Sequence, residues 1–125
     1  MNATGPIFSL IRVEKMGPAA LISLYQDCAD FIRLATEAPI DQAMIQADLD
    51  YSVHVGGIFQ VIQASGGEIV GVVDVVSSGF LGDERTGFIN LLMLSPRFRG
   101  SGLGSAVLRR VESAIWANPV VDNTR

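Results

Sequence analysis

Hydrophobic and polar positions change rhythm several times along this chain. Residues 7–14, "IFSLIRVE", are short, apolar and rich in β-branched side chains, which predicts a first strand. Gly17-Pro18 follows. Pro18 suits the first turn of a helix, where its missing N–H would have no partner in any case. Through residues 20–37, Leu21, Leu24, Tyr25, Cys28, Phe31, Ile32 and Ala35 recur at helical spacing, which predicts one helix. Ala38-Pro39 ends it, because a residue before proline avoids helical dihedrals. Residues 40–50, "IDQAMIQADLD", predict a second, shorter helix with Asp41 as its N-cap.

From Tyr51 the pattern turns to β. Residues 58–64 and 68–76 are β-prone runs on either side of Ser65-Gly66-Gly67. Glycines supply the positive φ of a tight turn, so the two runs should pair antiparallel. "SSGFLGDERTG" reads as a polar loop, and "FINLLML", residues 88–94, as the next strand. Its unbroken apolar character predicts burial on both faces. From Leu103 on, Val107, Leu108, Val111, Ile115 and Trp116 form one stripe, with Arg109, Arg110, Glu112 and Ser113 opposite. Asn118-Pro119 should stop that helix. The order strand, helix, helix, three strands, helix predicts an α/β fold in a single domain, residues 1–125.

Composition narrows this picture. Apolar residues make up 49% of the chain, enough for a real core. A net charge of −4 argues against a nucleic-acid surface, so an anion site must be local. Cys28 is the only cysteine and no internal disulfide can form, which suits a reducing compartment. The first ten residues lack a basic and then apolar leader, and no apolar run is long enough to cross a bilayer. The expectation is a cytoplasmic protein without a membrane partner. His54, the only histidine, is expected in an uncharged loop and gives no metal-ligand set.

The candidate chemistry lies in residues 90–112, "NLLMLSPRFRGSGLGSAVLRRVE". An apolar strand breaks at Ser95-Pro96, then Arg97 and Arg99 precede glycines at positions 100, 102 and 104, then the amphipathic helix begins. The first turn of a helix leaves amides unpaired at the positive end of its dipole. Glycine lets phosphate oxygens reach that backbone with no Cβ between them. The physical reading is a pyrophosphate cradle made mainly of backbone. A Walker loop would need Gly-Lys-Ser/Thr, and no lysine stands there. A dinucleotide fingerprint would place its glycines in a different register and an acid about 20 residues on.

Arg97-x-x-Gly100-x-Gly102, preceded by "LMLSP" and followed by Leu103-Gly104, resembles the acetyl-coenzyme A loop of the GNAT family of N-acetyltransferases. The order of elements resembles that family's across the chain. The resemblance implies a mixed sheet, acetyl-CoA as co-substrate and transfer of acetyl to an amino group of a small molecule or peptide. It implies that amides from Phe98 through Arg99, Gly100, Ser101, Gly102, Leu103 and Gly104 hold the pyrophosphate. The backbone of Leu92, Met93 and Leu94 would pair with the pantetheine arm, an amide near Met93 or Leu94 polarising the thioester carbonyl. Tyr25, Asp27 and Asp30 would border the acceptor groove. A coenzyme A, anion or dinucleotide module without catalysis is the alternative.

Other residues carry weaker signals. Asp74 interrupts a valine run, either as a catalytic carboxylate near the cofactor or, as is more usual for such an aspartate, facing water from one side of an antiparallel strand. Asn90 sits in the central strand, as a buried amide or a positioning group. Cys28 and Trp116 lie on core stripes. The family usually continues past this helix with a further strand and a helix that carries a catalytic tyrosine. No tyrosine follows Tyr51, so the expectation is a C-terminally truncated member with no assigned base or acid. The apolar fourth strand would then be a sheet edge, open to a second copy in a homodimer.

Overall fold

The computed structural model describes residues 7–76 and 88–117, the last three by backbone alone. The predicted polar loop, the Asn118-Pro119 stop, the chain ends and the side chains of Ile115 and Trp116 lie outside the described residues. Strands β1 (Phe8–Arg12), β2 (Gly57–Ala64), β3 (Ile69–Val76) and β4 (Phe88–Leu94) form one sheet in that order, every pairing antiparallel. Helices α1 (Ile22–Asp27), α2 (Ala29–Ile32) and α3 (Gln42–His54) cover one face. Helix α4 (Leu103–Ala117) covers the other.

Each face has its own core. Leu21, Leu24, Tyr25, Cys28, Ile32 and Ile45 pack on Phe59, Val61, Val72 and Met93. Leu103, Val107 and Val111 pack on Phe8, Ile62, Val73 and Val75. Leu108, assigned to the α4 stripe from sequence, lies at its margin and is 36% exposed. A buried apolar side chain of this size stabilises by about 1.5–3 kcal/mol, so these two layers dominate the favourable terms.

The predicted first helix is broken. A 3-10 turn at Pro18–Leu21 leads into α1, and the chain departs from helical dihedrals at Cys28 (φ −97°, ψ 21°) before α2. The apolar spacing survives the break because a single residue is displaced, so periodicity cannot reveal it. The second helix starts where expected, with Asp41 Oδ1 accepting from the Met44 amide at 3.2 Å. It runs on to His54, which therefore closes a helix rather than sitting in a loop.

The hairpin of β2 and β3 pairs as predicted, its turn closed by Gly67 at φ 93°. β4 corrects the expectation of burial on both faces. Its side chains reach both cores, Leu91 and Met93 on one side and Leu92 and Leu94 on the other. Yet only Met93 is fully buried, because β4 is the edge of the described sheet. Where β4 pairs with β3, Asp74 stands opposite Leu91 and Val75 opposite Ile89, so Asn90 is an extra residue in a β-bulge.

Candidate functional site

β4 ends at Leu94, and a 3-10 turn at Pro96–Phe98 leads the chain out of the sheet towards α4. Gly100 (φ 77°) and Gly102 (φ 88°) hold left-handed dihedrals that cost an L-residue about 1–2 kcal/mol each. Crowding is not their reason, since a Cβ at either position would meet nothing within 4 Å. Dihedrals that alternate in hand point successive amides to one side, a concave arrangement of donors. The amides of Phe98 and Arg99 are already engaged, by the carbonyls of Ser95 (2.9 Å) and Pro96 (3.3 Å). Among the described residues, those of Gly100, Ser101, Gly102, Leu103 and Gly104 make no backbone hydrogen bond outside α4. The first turn of α4 leaves its own amides open. The run of open amides therefore begins at Gly100. The Ser101 hydroxyl, donating to the Phe98 carbonyl at 2.6 Å, braces the turn.

Both loop arginines are paired. Arg97 bonds the carboxylate of Glu68 beside the β2–β3 turn and lies over the Phe98 ring. Arg99 makes a two-pronged bond to Asp30 at 2.7 and 3.2 Å, which ties the loop to α2. That pairing holds the Asp30 carboxyl below its ordinary range. Arg99 Nε also donates to the Leu94 carbonyl at 3.0 Å, and the Cys28 thiol approaches the same oxygen at 3.3 Å. Burial pushes the Cys28 thiol above its usual range, against the pull of Arg99.

The edge of β4 presents a specific set of peptide groups. The Ser95 amide donates to Val70 at 2.8 Å. Peptide groups alternate direction along an antiparallel ladder. Met93 and Leu91 therefore turn theirs to β3, and Leu92 and Leu94 turn theirs outwards. The outward Leu94 carbonyl is occupied by Arg99. An extended ligand chain laid on this edge would pair with Leu92 and leave the strand at Leu94, where the amide turn begins.

The helix-covered side of β4 holds the polar groups. Asp74 is wholly buried, not facing water as its place in the strand suggested. Its Oδ1 accepts from the Ser52 hydroxyl at 2.7 Å and its Oδ2 from the Asn90 amide at 2.9 Å. Gly57 leaves room for this arrangement, since a Cβ there would come within 2.6 Å of Asp74 Oδ1. Asp48, half-buried on α3, accepts from the Tyr25 hydroxyl at 2.7 Å. Burial raises its pKa, opposed by that hydrogen bond and aided by Asp74. Burial, and then Asp48, hold the Tyr25 phenol well above its ordinary range.

Two cavities meet here. One of about 300 Å³ is lined by Tyr25, Phe31, Leu34, Met44, Asp48 and Leu91, among others. The other, of about 260 Å³, is lined by Asp48, Tyr51, Phe59, Asp74, Asn90 and Leu91. Of the sequence candidates, Tyr25 and Asn90 come together around Asp48 and Asp74. Asp27 and Asp30 are exposed, and Asp30 serves the loop instead. Sequence reasoning missed Asp48 and Ser52. Their signal was position: 45, 48, 49 and 52 form one inward stripe of α3, and polar residues stand at two of its places. Among the described residues no cluster of potential ligands could hold a metal ion.

A sheet between two helical layers, whose edge strand runs into an amide-lined turn at a helix start, defines an α/β protein. The chain belongs to the acetyltransferase (GNAT) family, which it matches over residues 19–118. Its fold is similar to an acetyltransferase from Thermus thermophilus, with TM-score 0.70 and 22% identity, over 90% of this chain and 71% of that one. A Trypanosoma brucei acetyltransferase is similar with TM-score 0.57 and 21% identity, over 86% and 74% of the two chains. A GNAT family acetyltransferase from Brucella melitensis, solved in complex with acetyl-CoA, gives TM-score 0.58 and 15% identity over 90% and 70%. At these identities the likeness speaks for the fold. Comparison with curated proteins gives no match.

Proposed function

We propose that this chain transfers the acetyl group of acetyl-CoA to the amino group of a small molecule or peptide. The observation that carries this reading is the run of open amides from Gly100, shaped by two left-handed glycines at the end of an edge strand. Family membership supports an acyltransferase, and the acetyl-CoA complex of the Brucella melitensis relative supports the co-substrate.

Each residue then has a task. The amides of Gly100 to Gly104 would hold the pyrophosphate, with the positive end of the α4 dipole behind them. Arg97 and Arg99, neutralised by Glu68 and Asp30, shape the loop rather than supply bare charge. The Leu92 peptide groups would pair with the pantetheine arm, directing the thioester towards the cavities under Leu91 and Met93. Among the described residues the outward Leu94 amide makes no hydrogen bond, which would suit it to an oxyanion.

Calorimetric titration with acetyl-CoA, run beside Gly102→Asp, tests this. The native chain is expected to bind at micromolar Kd. The variant is expected to lose at least about a hundredfold, or about 2.7 kcal/mol, because its carboxylate meets the pyrophosphate and its backbone resists φ 88°. Equal binding by both chains would overturn the reading. Acetyl transfer to a panel of amines separates the enzyme from a coenzyme A binder without catalysis.

A further inference from the structure

We propose that Asp48 is the group that receives the acceptor and takes its proton, and that the acceptor is a cationic amine joined directly to an apolar group. The inference rests on the transferase reading above. It is carried by the position of Asp48 at the junction of the two cavities, where it and Leu91 line both.

The two carboxylates of this region are not equivalent. Asp74 is wholly buried with both oxygens engaged, Oδ1 by Ser52 and Oδ2 by Asn90. Each of its oxygens already accepts one hydrogen bond and the side chain is wholly buried, so it is the less accessible of the two. Asp48 is half-buried, and only its Oδ2 is engaged, by Tyr25. Among the described residues nothing donates to Oδ1. The titratable groups that face it are Tyr25 from α1, Asp74 from β3 and Tyr51 from the next turn of α3. Among the described residues none of the groups lining either cavity is a cation. A carboxylate open on one oxygen, backed by a buried second one, suits a group that brings its own positive charge.

The remaining walls state what lies next to that charge. Phe31, Ile32, Leu34, Ala35 and Met44 are apolar walls of the larger cavity, and the hydroxyl of Thr36, which also lines it, already accepts from the Ala38 amide at 3.0 Å. A sugar or a polyol would leave its hydroxyls unpaired against them. An alkyl or aryl group of a few carbons would bury its surface there. Leu91 and Met93 line the same cavity from the edge strand, so an amine bound at Asp48 is next to the strand on which the thioester arm would lie.

The chemistry balances without a further reactant. One proton of the ammonium passes to Asp48 Oδ1 and frees the nitrogen lone pair. The nitrogen attacks the thioester carbonyl, so the C–N bond forms and the C–S bond breaks. The second proton lost by nitrogen leaves with the thiolate as thiol, and Asp48 returns its own proton to water. Burial, by raising the Asp48 pKa, narrows the gap to the amine and makes the carboxylate a better base. Tyr25 exchanges no proton with either substrate in this scheme. It is a positioning residue that fixes the carboxylate and moderates its pKa.

The test reads the amine directly, with coenzyme A present and absent. 2-Phenylethylamine, 2-phenylethanol and glucosamine are titrated calorimetrically into the native chain, Asp48→Asn and Asp48→Glu. The native chain is expected to bind 2-phenylethylamine at least about tenfold tighter than either comparison. Asp48→Asn is expected to lose the preference over the alcohol while keeping that over glucosamine, and Asp48→Glu to keep part of the first. Equal affinity for the amine and the alcohol, or undiminished amine binding by a folded Asp48→Asn, overturns the proposal. So does the absence of amine binding by the native chain. Because these readouts do not need the thioester, a chain that fails to bind acetyl-CoA sinks the transferase reading and leaves this result to stand separately. In turnover, Asp48→Asn should lower kcat by about a hundredfold with the KM for acetyl-CoA unchanged. Tyr25→Phe should keep the plateau and move the acid limb of kcat/KM to higher pH, since a donated hydrogen bond that favours the charged carboxylate is lost. An unmoved limb overturns the positioning role.

Discussion

Asp48 and Asp74 illustrate how one side-chain type takes different roles in different surroundings. Asp74 sits at the bottom of a closed arrangement with Ser52, Asn90 and Gly57. Asp48 is left with one open oxygen and a pKa raised by burial. The second condition has a cost in stability whose sign can be stated. A carboxyl whose folded pKa lies above the unfolded one favours the native state when protonated. That contribution is present below the ordinary value of 3.8 and is lost as pH rises through the raised folded value. Asp48→Asn should therefore melt above the native chain at pH 7, and the two should converge as pH falls below the ordinary value of 3.8. The margin is small because the carboxylate is half-exposed and screened. Melting curves at several pH values check it. A native chain that melts higher at pH 7 would remove the burial cost from the account. A more stable and less active variant is the signature of a group kept for chemistry rather than for the fold.

At the scale of elements, α2 and the turn before α4 act as one piece, because Asp30 and Arg99 join them and Arg99 also holds the end of β4. Two effects oppose each other when Asp30 becomes Asn. The joint loosens, and the charge of Arg99 is released towards the anion seat. The turn keeps the Ser101 and Arg99 Nε bonds, so the electrostatic effect should win. Asp30→Asn is expected to bind acetyl-CoA a few-fold tighter at about 0.05 M salt, with the gain fading at about 0.5 M as screening shortens its range. Weaker binding at low salt would show that the joint matters more than the charge. Sequence reasoning could reach only part of this. The strand order, the hairpin, the Asp41 cap and the strand–glycine–helix junction were legible because each rests on local patterns. The break at Cys28, the bulge at Asn90 and the Arg99–Asp30 pair were not. They are decided by partners far along the chain, 69 positions away in the last case. Asp74 was misread because alternation says which face a residue takes and not whether a helix covers that face.

In the whole molecule, both cores are complete on the inner strands, while β4 closes the described sheet with an open edge. Its outward groups at Leu92 can serve an extended ligand or the edge of a second copy, but not both. If copies pair there, acetyl-CoA should convert dimer to monomer, as sedimentation velocity with and without the ligand would read. A dimer untouched by saturating acetyl-CoA would place the contact elsewhere. Among the described residues no helix is long and apolar enough to cross a membrane.

The two left-handed glycines give the proposed anion seat a property that no side-chain inventory contains, namely a handedness. Its shape belongs to the mirror-image region of backbone space, which ordinary residues enter only under strain and D-residues enter by preference. A chain assembled chemically with D-alanine at positions 100 and 102 would keep the turn and stiffen it, since fewer unfolded conformations would compete. L-alanine at the same places would distort it. The seat can thus be separated from its side chains altogether and reduced to stereochemistry.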